Sequence, residues 1–237
     1  MAGKLFDFDN FKRRAGQSRQ SALGRQIEQT LCPGMILPDP LEQLFKWIEL
    51  KGLYIDTPNG RLGFMYPEEK IKSSRTNSSS PGGTDISFAA EGNINLRYWF
   101  RTTDSDVMER LCVFAKTGAE GSMAAFWLAE DGSQKIVHLG SGSGSTTICI
   151  LAHDPVDFLR LIAIGYDEIC WGEDFAEPPN ASGKFIVGPN YEYIDWVTKR
   201  FGVTIPDRAL SVVPYPISID APTSPDPFWQ WVRRHTG

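Results

Sequence analysis

Between positions 136 and 170 the chain reads IVHLGSGSGSTTICILAHDPVDFLRLIAIGYDEIC: an apolar strand, a Gly/Ser turn, a second apolar strand and a sharply capped helix. That order of elements constrains the fold more than any other stretch. A nucleotide-type loop must open from its glycines directly into a helix, whose N-terminal N–H groups and dipole meet the ligand. Gly140, Gly142 and Gly144 open instead into Thr146, Thr147, Ile148, Cys149, Ile150 and Leu151, dominated by β-branched residues that favour strands. The helix starts later. Asp154 suits the N-cap, Pro155 the first helical position and Asp157 the first turn. Phe158, Leu159, Leu161, Ile162 and Ile164 leave little polar face, which predicts a buried helix, and Gly165 stops it. The spacing predicts an antiparallel hairpin feeding a core helix. The loop has no Gly-Lys-Ser/Thr, so it is not a P-loop. An S-adenosylmethionine loop over 137–144 stays open as the alternative, although fewer than a hundred residues follow it to complete a parallel βαβ sheet.

A chain of 237 residues fits one domain with extensions. Hydrophobic content of 41% and seven Trp predict a globular protein. No apolar run approaches the ~20 residues needed to cross a bilayer. The start, MAGKLFDFDNFKRR, lacks the apolar core of a secretory signal. Cys32, Cys112, Cys149 and Cys170 are widely spaced without a CxxC pair, which predicts free thiols and a cytoplasmic setting. The net charge of −5 is uneven: Lys4, Lys12, Arg13, Arg14, Arg19 and Arg25 make the first part basic. The rest is therefore acidic, which argues against direct nucleic-acid binding by the main domain.

Three regions are expected: a basic N-terminal extension over 1–36, an α+β domain over 37–180, and a C-terminal helical extension over 181–237 packed on the same domain. Asp39-Pro40-Leu41-Glu42 reads as a capping box. Leu41, Leu44, Phe45 and Ile48 follow at helical spacing and Gly52 ends the helix. Strand-like runs at 53–56 and 61–66 flank Thr57-Pro58-Asn59-Gly60, a hairpin signal. Residues 71–83, rich in Ser, Asn, Pro and Gly, predict an exposed loop. Strands are predicted at 85–89, 95–100, 112–115, 124–128, 135–139 and 146–151, with a hairpin loop at 129–133. Helices at 191–201 and 225–234 close the chain, the second opening on Asp226-Pro227. Short antiparallel strands between helices predict an α+β fold, mainly a multi-stranded antiparallel sheet packed against helices.

The progression FWLAEDGSQKIVHLGSGSG, then CILAHDPVDFLRLIAIGYDE, after a capped helix with Trp47, a hairpin and a Ser-rich loop, resembles the SUKH superfamily. That group includes the fungal Smi/Knr cell-wall regulators and many bacterial toxin-immunity proteins. The similarity covers roughly 37 to 175 and is best from Phe126 to Glu168. One departure is the run Gly142-Ser143-Gly144, where an acidic residue is common after the first Gly-Ser. The resemblance implies a non-enzymatic immunity protein, without cofactor, that binds and neutralises a cognate protein toxin such as a nuclease. A regulatory scaffold of cell-envelope synthesis is the reading by analogy with the fungal members.

The residues agree on one point. His138, His153 and His235 form no HExxH or Cys/His ligand pattern, and no Gly-x-Ser-x-Gly elbow is present. His138 alternates with apolar neighbours, as a structural histidine does, and Cys149 and Cys170 read as core thiols. The expected partner surface is 165–177, where Asp167, Glu168, Glu173, Asp174 and Glu177 accompany Tyr166, Trp171 and Phe175 without a base. Acids would steer a cationic partner and aromatics would anchor it. The same aromatics could simply cover the core. A second candidate is the hairpin 126–140, with Trp127 and the tip residues Glu130 and Asp131. The Ser-rich loop over 76–83 is a third.

Overall fold

The computed structural model describes residues 20–74, 81–181 and 186–236. Its apolar runs form eight strands of one antiparallel sheet, neighbouring each other in chain order. They are β1 (Tyr54–Thr57), β2 (Gly60–Phe64), β3 (Ser87–Gly92), β4 (Leu111–Lys116), β5 (Met123–Leu128), β6 (Gln134–Leu139), β7 (Thr147–Ala152) and β8 (Ile217–Ser218). Among the described residues eight α-helices accompany the sheet, so the fold is α+β.

Strand alternation sends successive side chains to opposite faces. Cys112, Phe114, Phe126, Ile136, Cys149 and Leu151 enter the larger core. Leu111, Val113, Ala125, Trp127, Val137, Leu139, Ile148 and Ile150 enter a second. The central strands are thus buried on both sides, which is why they read as continuous apolar runs. The larger core is covered by α1 (Ala22–Glu28), α2 (Asp39–Leu50), α6 (Pro155–Ile164) and α7 (Tyr191–Phe201). Phe114 stacks on Phe126 at 4.4 Å and meets Phe158 of α6 edge-on at 5.6 Å. The second core is closed by α4 (Leu96–Phe100), α5 (Ser105–Met108) and α8 (Pro227–Thr236).

Several expectations hold locally. Asp154 caps α6 by accepting from the Val156 N–H at 2.8 Å, and Gly165 ends it with φ +96°. Gly202 ends α7 in the same left-handed conformation. The β1–β2 hairpin turns on Pro58 and Asn59, with Thr57 opposite Gly60.

Others are corrected. Residues 95–100, expected as a strand, form α4: Gly92 at φ +66° ends β3, and Leu96 and Phe100, one helical turn apart, enter the second core together. Within 71–83, the residues up to 74 belong to α3 (Glu68–Ser74), and Ile71 is buried; residues 76–80 of that candidate loop lie outside the described residues. Part of the stretch read as a basic extension, 1–36, belongs to the core, because α1 buries Leu23 and Ile27 completely. Lys4, Lys12, Arg13, Arg14 and Arg19 lie outside the described residues. The region after 181 contributes β8 as well as helices.

The expected capping box is also rearranged. Glu42 does not return to Asp39. Its carboxylate accepts from the Ser21 N–H at 2.7 Å and the Ser21 hydroxyl at 2.9 Å, while Ser21 Oγ accepts from the Gly24 N–H. A glutamate of α2 thereby completes the cap of α1. A Cβ on Gly24 would stand 1.9 Å from Glu42 Oε2, so any larger residue there would push the carboxylate out of this cap.

At the far edge, β8 is two residues long, and β7 beyond it is closed by a side chain. Asp226 accepts from the Ile150 N–H at 2.8 Å and the Trp229 N–H at 2.9 Å, replacing a ladder bond and capping α8 at once. Burial pushes this carboxyl above its ordinary range, against those amide bonds. Asp226→Ala should destabilise the protein by about 2–4 kcal/mol, since it leaves two buried N–H groups unpaired. Urea unfolding measures this, and Asp226→Asn should fall between the two.

Candidate functional site

The acidic segment leaves α6 at Gly165 and is strapped across the ends of β3, β4 and β7. The Asp85 N–H and Thr84 hydroxyl donate to the Asp167 carbonyl at 2.8 and 2.6 Å. The Ile169 N–H donates to the Thr117 carbonyl at 2.9 Å, and the Gly172 N–H to Thr147 Oγ1 at 3.2 Å. Two of its aromatics are core residues. Tyr166 is buried, donates to the Glu177 carbonyl at 2.6 Å and accepts from the Ala209 N–H at 3.0 Å; Phe175 is 1% exposed. A short 3-10 turn, Gly172–Ala176, carries Phe175 inward and leaves Glu173 and Asp174 outward.

Glu168 and Asp167 serve the scaffold. Glu168 accepts from the Ala119 N–H at 2.6 Å through one oxygen and from the Trp171 indole N–H at 2.6 Å through the other. Asp167 is half-buried, caps the Glu168 N–H, and is raised by burial from its ordinary value. Trp171 is half-buried against Glu168, so its polar atom is already used. Glu173, Asp174 and Glu177 are exposed. The structure adds a base that the local sequence lacks: the Arg208 guanidinium donates to the Ala176 carbonyl at 3.2 Å and pairs with Asp207 at 3.6 Å. A separation of 32 residues hides it from local reading.

The hairpin candidate divides. Trp127 is 3% exposed, with Phe228 at 5.1 Å and Trp231 at 5.9 Å between ring centroids. Its expected place on a partner surface is corrected, because α8 returns from the C-terminal region to cover that sheet face. Asp131 is exposed at the tip and accepts from the Ser133 N–H and hydroxyl at 2.9 and 2.6 Å. Those bonds hold its carboxyl below the ordinary value. The tip and the acidic segment occupy opposite ends of β5, which spans about 20 Å, so Asp131 stands apart from that ledge.

The Gly/Ser turn joins β6 to β7 as antiparallel neighbours, with His138 opposite Cys149. Four of its main-chain donors are committed: Gly140 N–H to the Thr147 carbonyl, Gly142 to the Ser145 carbonyl, Ser141 to Ser122 Oγ, and Gly144 to Ser141 Oγ. A Cβ on Gly140 would meet the Ser145 carbonyl at 2.5 Å, so the glycine serves close backbone approach. A strand, not a helix, follows these glycines, and the N–H groups of all three are occupied.

His138 is fully buried. Its Nδ1 lies 2.8 Å from the Thr147 carbonyl and must donate; Nε2, 3.0 Å from Thr117 Oγ1, then accepts. All four cysteines are free and buried. Burial pushes the Cys112 thiol up to about 11, and burial together with Glu168 and Glu120 pushes Cys170 far above neutrality. Protonated, enclosed thiols are poor nucleophiles. Among the described residues, no three His, Cys, Asp or Glu side chains are grouped to hold a metal. No described helix is long and apolar enough to cross a membrane.

Helical patterning accounts for a groove that local sequence reading missed. Between α2 and α7 a cavity of about 480 Å³ is lined by Trp47, Trp196, Gln43, Lys46, Leu50 and Arg200. Trp47 meets Tyr193 at 5.2 Å and Trp196 at 5.9 Å. Leu50, outside the apolar stripe of α2, is 86% exposed on its rim. That out-of-phase leucine was the available signal.

No protein-family model, curated protein or solved structure matches the chain.

Burial lowers the His138 pKa to about 4. The unfolded chain takes up the proton near 6.5 and the folded chain does not, so stability falls as pH drops from about 6.5 to 4. Between pH 7 and 4.5 this one group should remove about 2 kcal/mol. Urea midpoints at both pH values measure it, and His138→Gln should flatten that part of the dependence.

Proposed function

We propose that this chain is a non-enzymatic binding protein of the toxin-immunity type, acting in the cytoplasm and holding a cognate toxin through the acidic ledge. The observation that carries this reading is the division of labour along 166–177. Tyr166, Phe175 and the Glu168–Trp171 pair fix the segment to the sheet, while Glu173, Asp174 and Glu177 stand exposed in a row. A fixed array of carboxylates suits a cationic surface, such as the lysines and arginines around a nuclease active site, and raises the association rate. The similarity of 37–175 to the SUKH superfamily supports the same class of function. The buried, committed states of His138 and the four thiols suit a scaffold role for those residues.

A tagged pull-down from the native cells, with mass spectrometry of what is retained, should return a stoichiometric partner carrying a toxin-like domain. Several endogenous envelope-synthesis proteins instead would favour the regulatory scaffold. With the partner in hand, the combined variant Glu173→Gln and Glu177→Gln should weaken binding about tenfold at low salt, mostly through the association rate, with an unchanged melting temperature. Glu168 is left intact, because its two hydrogen bonds make it structural. Equal affinity of the variant and the parent would remove the ledge from the interface.

A further inference from the structure

The groove between α2 and α7 has an aromatic floor, since Trp47 and Trp196 meet at 5.9 Å and Trp196 is partly exposed. Leu50 stands on its rim, 86% exposed. Apolar surface rimmed by polar groups is the usual mark of an interaction site. Most of the surrounding charge is already matched: Lys46 to Glu42 at 3.4 Å, Lys51 to Glu192 at 2.8 Å and Lys199 to Asp195 at 2.8 Å. Asp39 accepts from the Gln43 amide, whose oxygen in turn accepts from Arg200 Nε. The two terminal nitrogens of Arg200 have no partner among the described residues. What the groove offers is therefore aromatic surface and one guanidinium fork, which suits a carboxylate.

The described chain begins beside this groove. The Ser21 N–H and hydroxyl donate to the Glu42 carboxylate, and the Leu23 N–H donates to Glu49 Oε1 at 2.9 Å. Lys46 lies between those two glutamates on α2, bonds the same Glu42 oxygen as the Ser21 N–H, and lines the groove. Gln20 is fixed there too, because its carbonyl accepts from the Arg25 guanidinium at 2.7 Å and its amide donates to Glu28 at 2.9 Å. The sequence that precedes it matches what the groove offers: Leu5, Phe6, Phe8 and Phe11 are interleaved with Asp7 and Asp9. Phe11 stands nine positions before Gln20, and a link of that length spans up to about 30 Å. Lys46 and Leu50, at the two ends of the α2 wall, are only about 6 Å apart along the helix axis.

We propose that residues 5–11 dock into this groove of their own chain, with phenyl rings against Trp47 and Trp196 and an aspartate on Arg200. Lys12, Arg13 and Arg14 belong to the link and stay outside the groove. The tether decides for this occupant over a free protein of the same chemistry, because a link this short sets an effective concentration on the order of millimolar. Any external segment rich in phenylalanine and aspartate must displace it. The inference does not draw on the proposed function, and its surface is separate from the acidic ledge.

The test uses the full chain with the photoreactive p-benzoylphenylalanine incorporated at position 8. After irradiation, mass spectrometry should find crosslinks from position 8 to the stretches 46–50 and 196–200 within one chain. Leu50→Glu with Arg200→Glu, two exposed positions, should lower that yield at least fivefold without changing the melting temperature. A synthetic peptide of residues 4–14 supplies an independent readout. It should bind the combined variant Phe6→Ser, Phe8→Ser and Phe11→Ser at least tenfold more tightly than the parent, whose groove is already filled. Crosslinks scattered over the surface, crosslinks joining two copies, or a peptide that does not distinguish the variant from the parent would each overturn the assignment. Neither readout depends on whether the ledge variant alters capture of a partner, so the two readings stand or fall separately.

Discussion

Strands β4 to β7 are apolar on both faces, and the rest of the fold answers to that. A sheet with one apolar face needs one covering layer; this one needs two. The larger core takes α2, α6 and α7 together with α1, drawn from residues 22–28. The second takes α8 from the opposite end of the sequence, with the short α4 and α5. Both chain ends are therefore recruited to bury surface that the middle of the chain creates. Phe228 and Trp231 of α8 stack at 5.9 Å and cover Trp127, which would otherwise be an exposed indole on an open sheet. Large aromatic groups at such sites dominate core energetics, typically about 3–5 kcal/mol each on truncation to alanine.

Covering the sheet this way raises a hydrogen-bonding problem, and a few buried polar side chains solve it. The helices arrive from far away in sequence, so their ends and the adjoining strand edge need acceptors that local capping does not supply. Asp226 serves Ile150 of β7 and Trp229 of α8 with its two oxygens. Glu42 on α2 serves Ser21 at the start of α1. His138 joins Thr117, after β4, to Thr147 at the start of β7, and stays neutral because it is enclosed. Each of these groups ties together segments that sequence separation keeps apart.

That non-local character marks what could be read from the sequence. The β5–β6 and β6–β7 hairpins, the Asp154-Pro155 start of α6 and the glycine stops at 165 and 202 are decided by neighbouring residues, and they were legible. Leu96–Phe100 was not, because a single helical turn of aromatic residues has the same composition as a strand, and only the left-handed Gly92 and Arg101 at its ends separate the two. The glutamate of Asp39-Pro40-Leu41-Glu42 follows a capping-box pattern, yet its carboxylate is claimed by a different helix. In the site, the run of acids was visible, but the split between Glu168 as brace and Glu173 as surface depends on Ala119 and Trp171. Trp127 looked available for the same reason: nothing near it in sequence announces α8.

In the acidic ledge, shape and charge are specified by different atoms. Its path is set by main-chain bonds to Thr84, Asp85, Thr117 and Thr147 and by the buried rings of Tyr166 and Phe175. None of those interactions involves the carboxylates of Glu173 or Glu177, which can change with little effect on folding, as exposed positions generally do within about 0.5 kcal/mol. The charge carried at those two positions is therefore uncoupled from the path of the segment. The main chain beneath those charges is held by these bonds, so a contact made there would not spend free energy on ordering the loop. Glu168 marks the limit of that freedom, since replacing it would remove the bonds to Ala119 and Trp171 that brace the ledge.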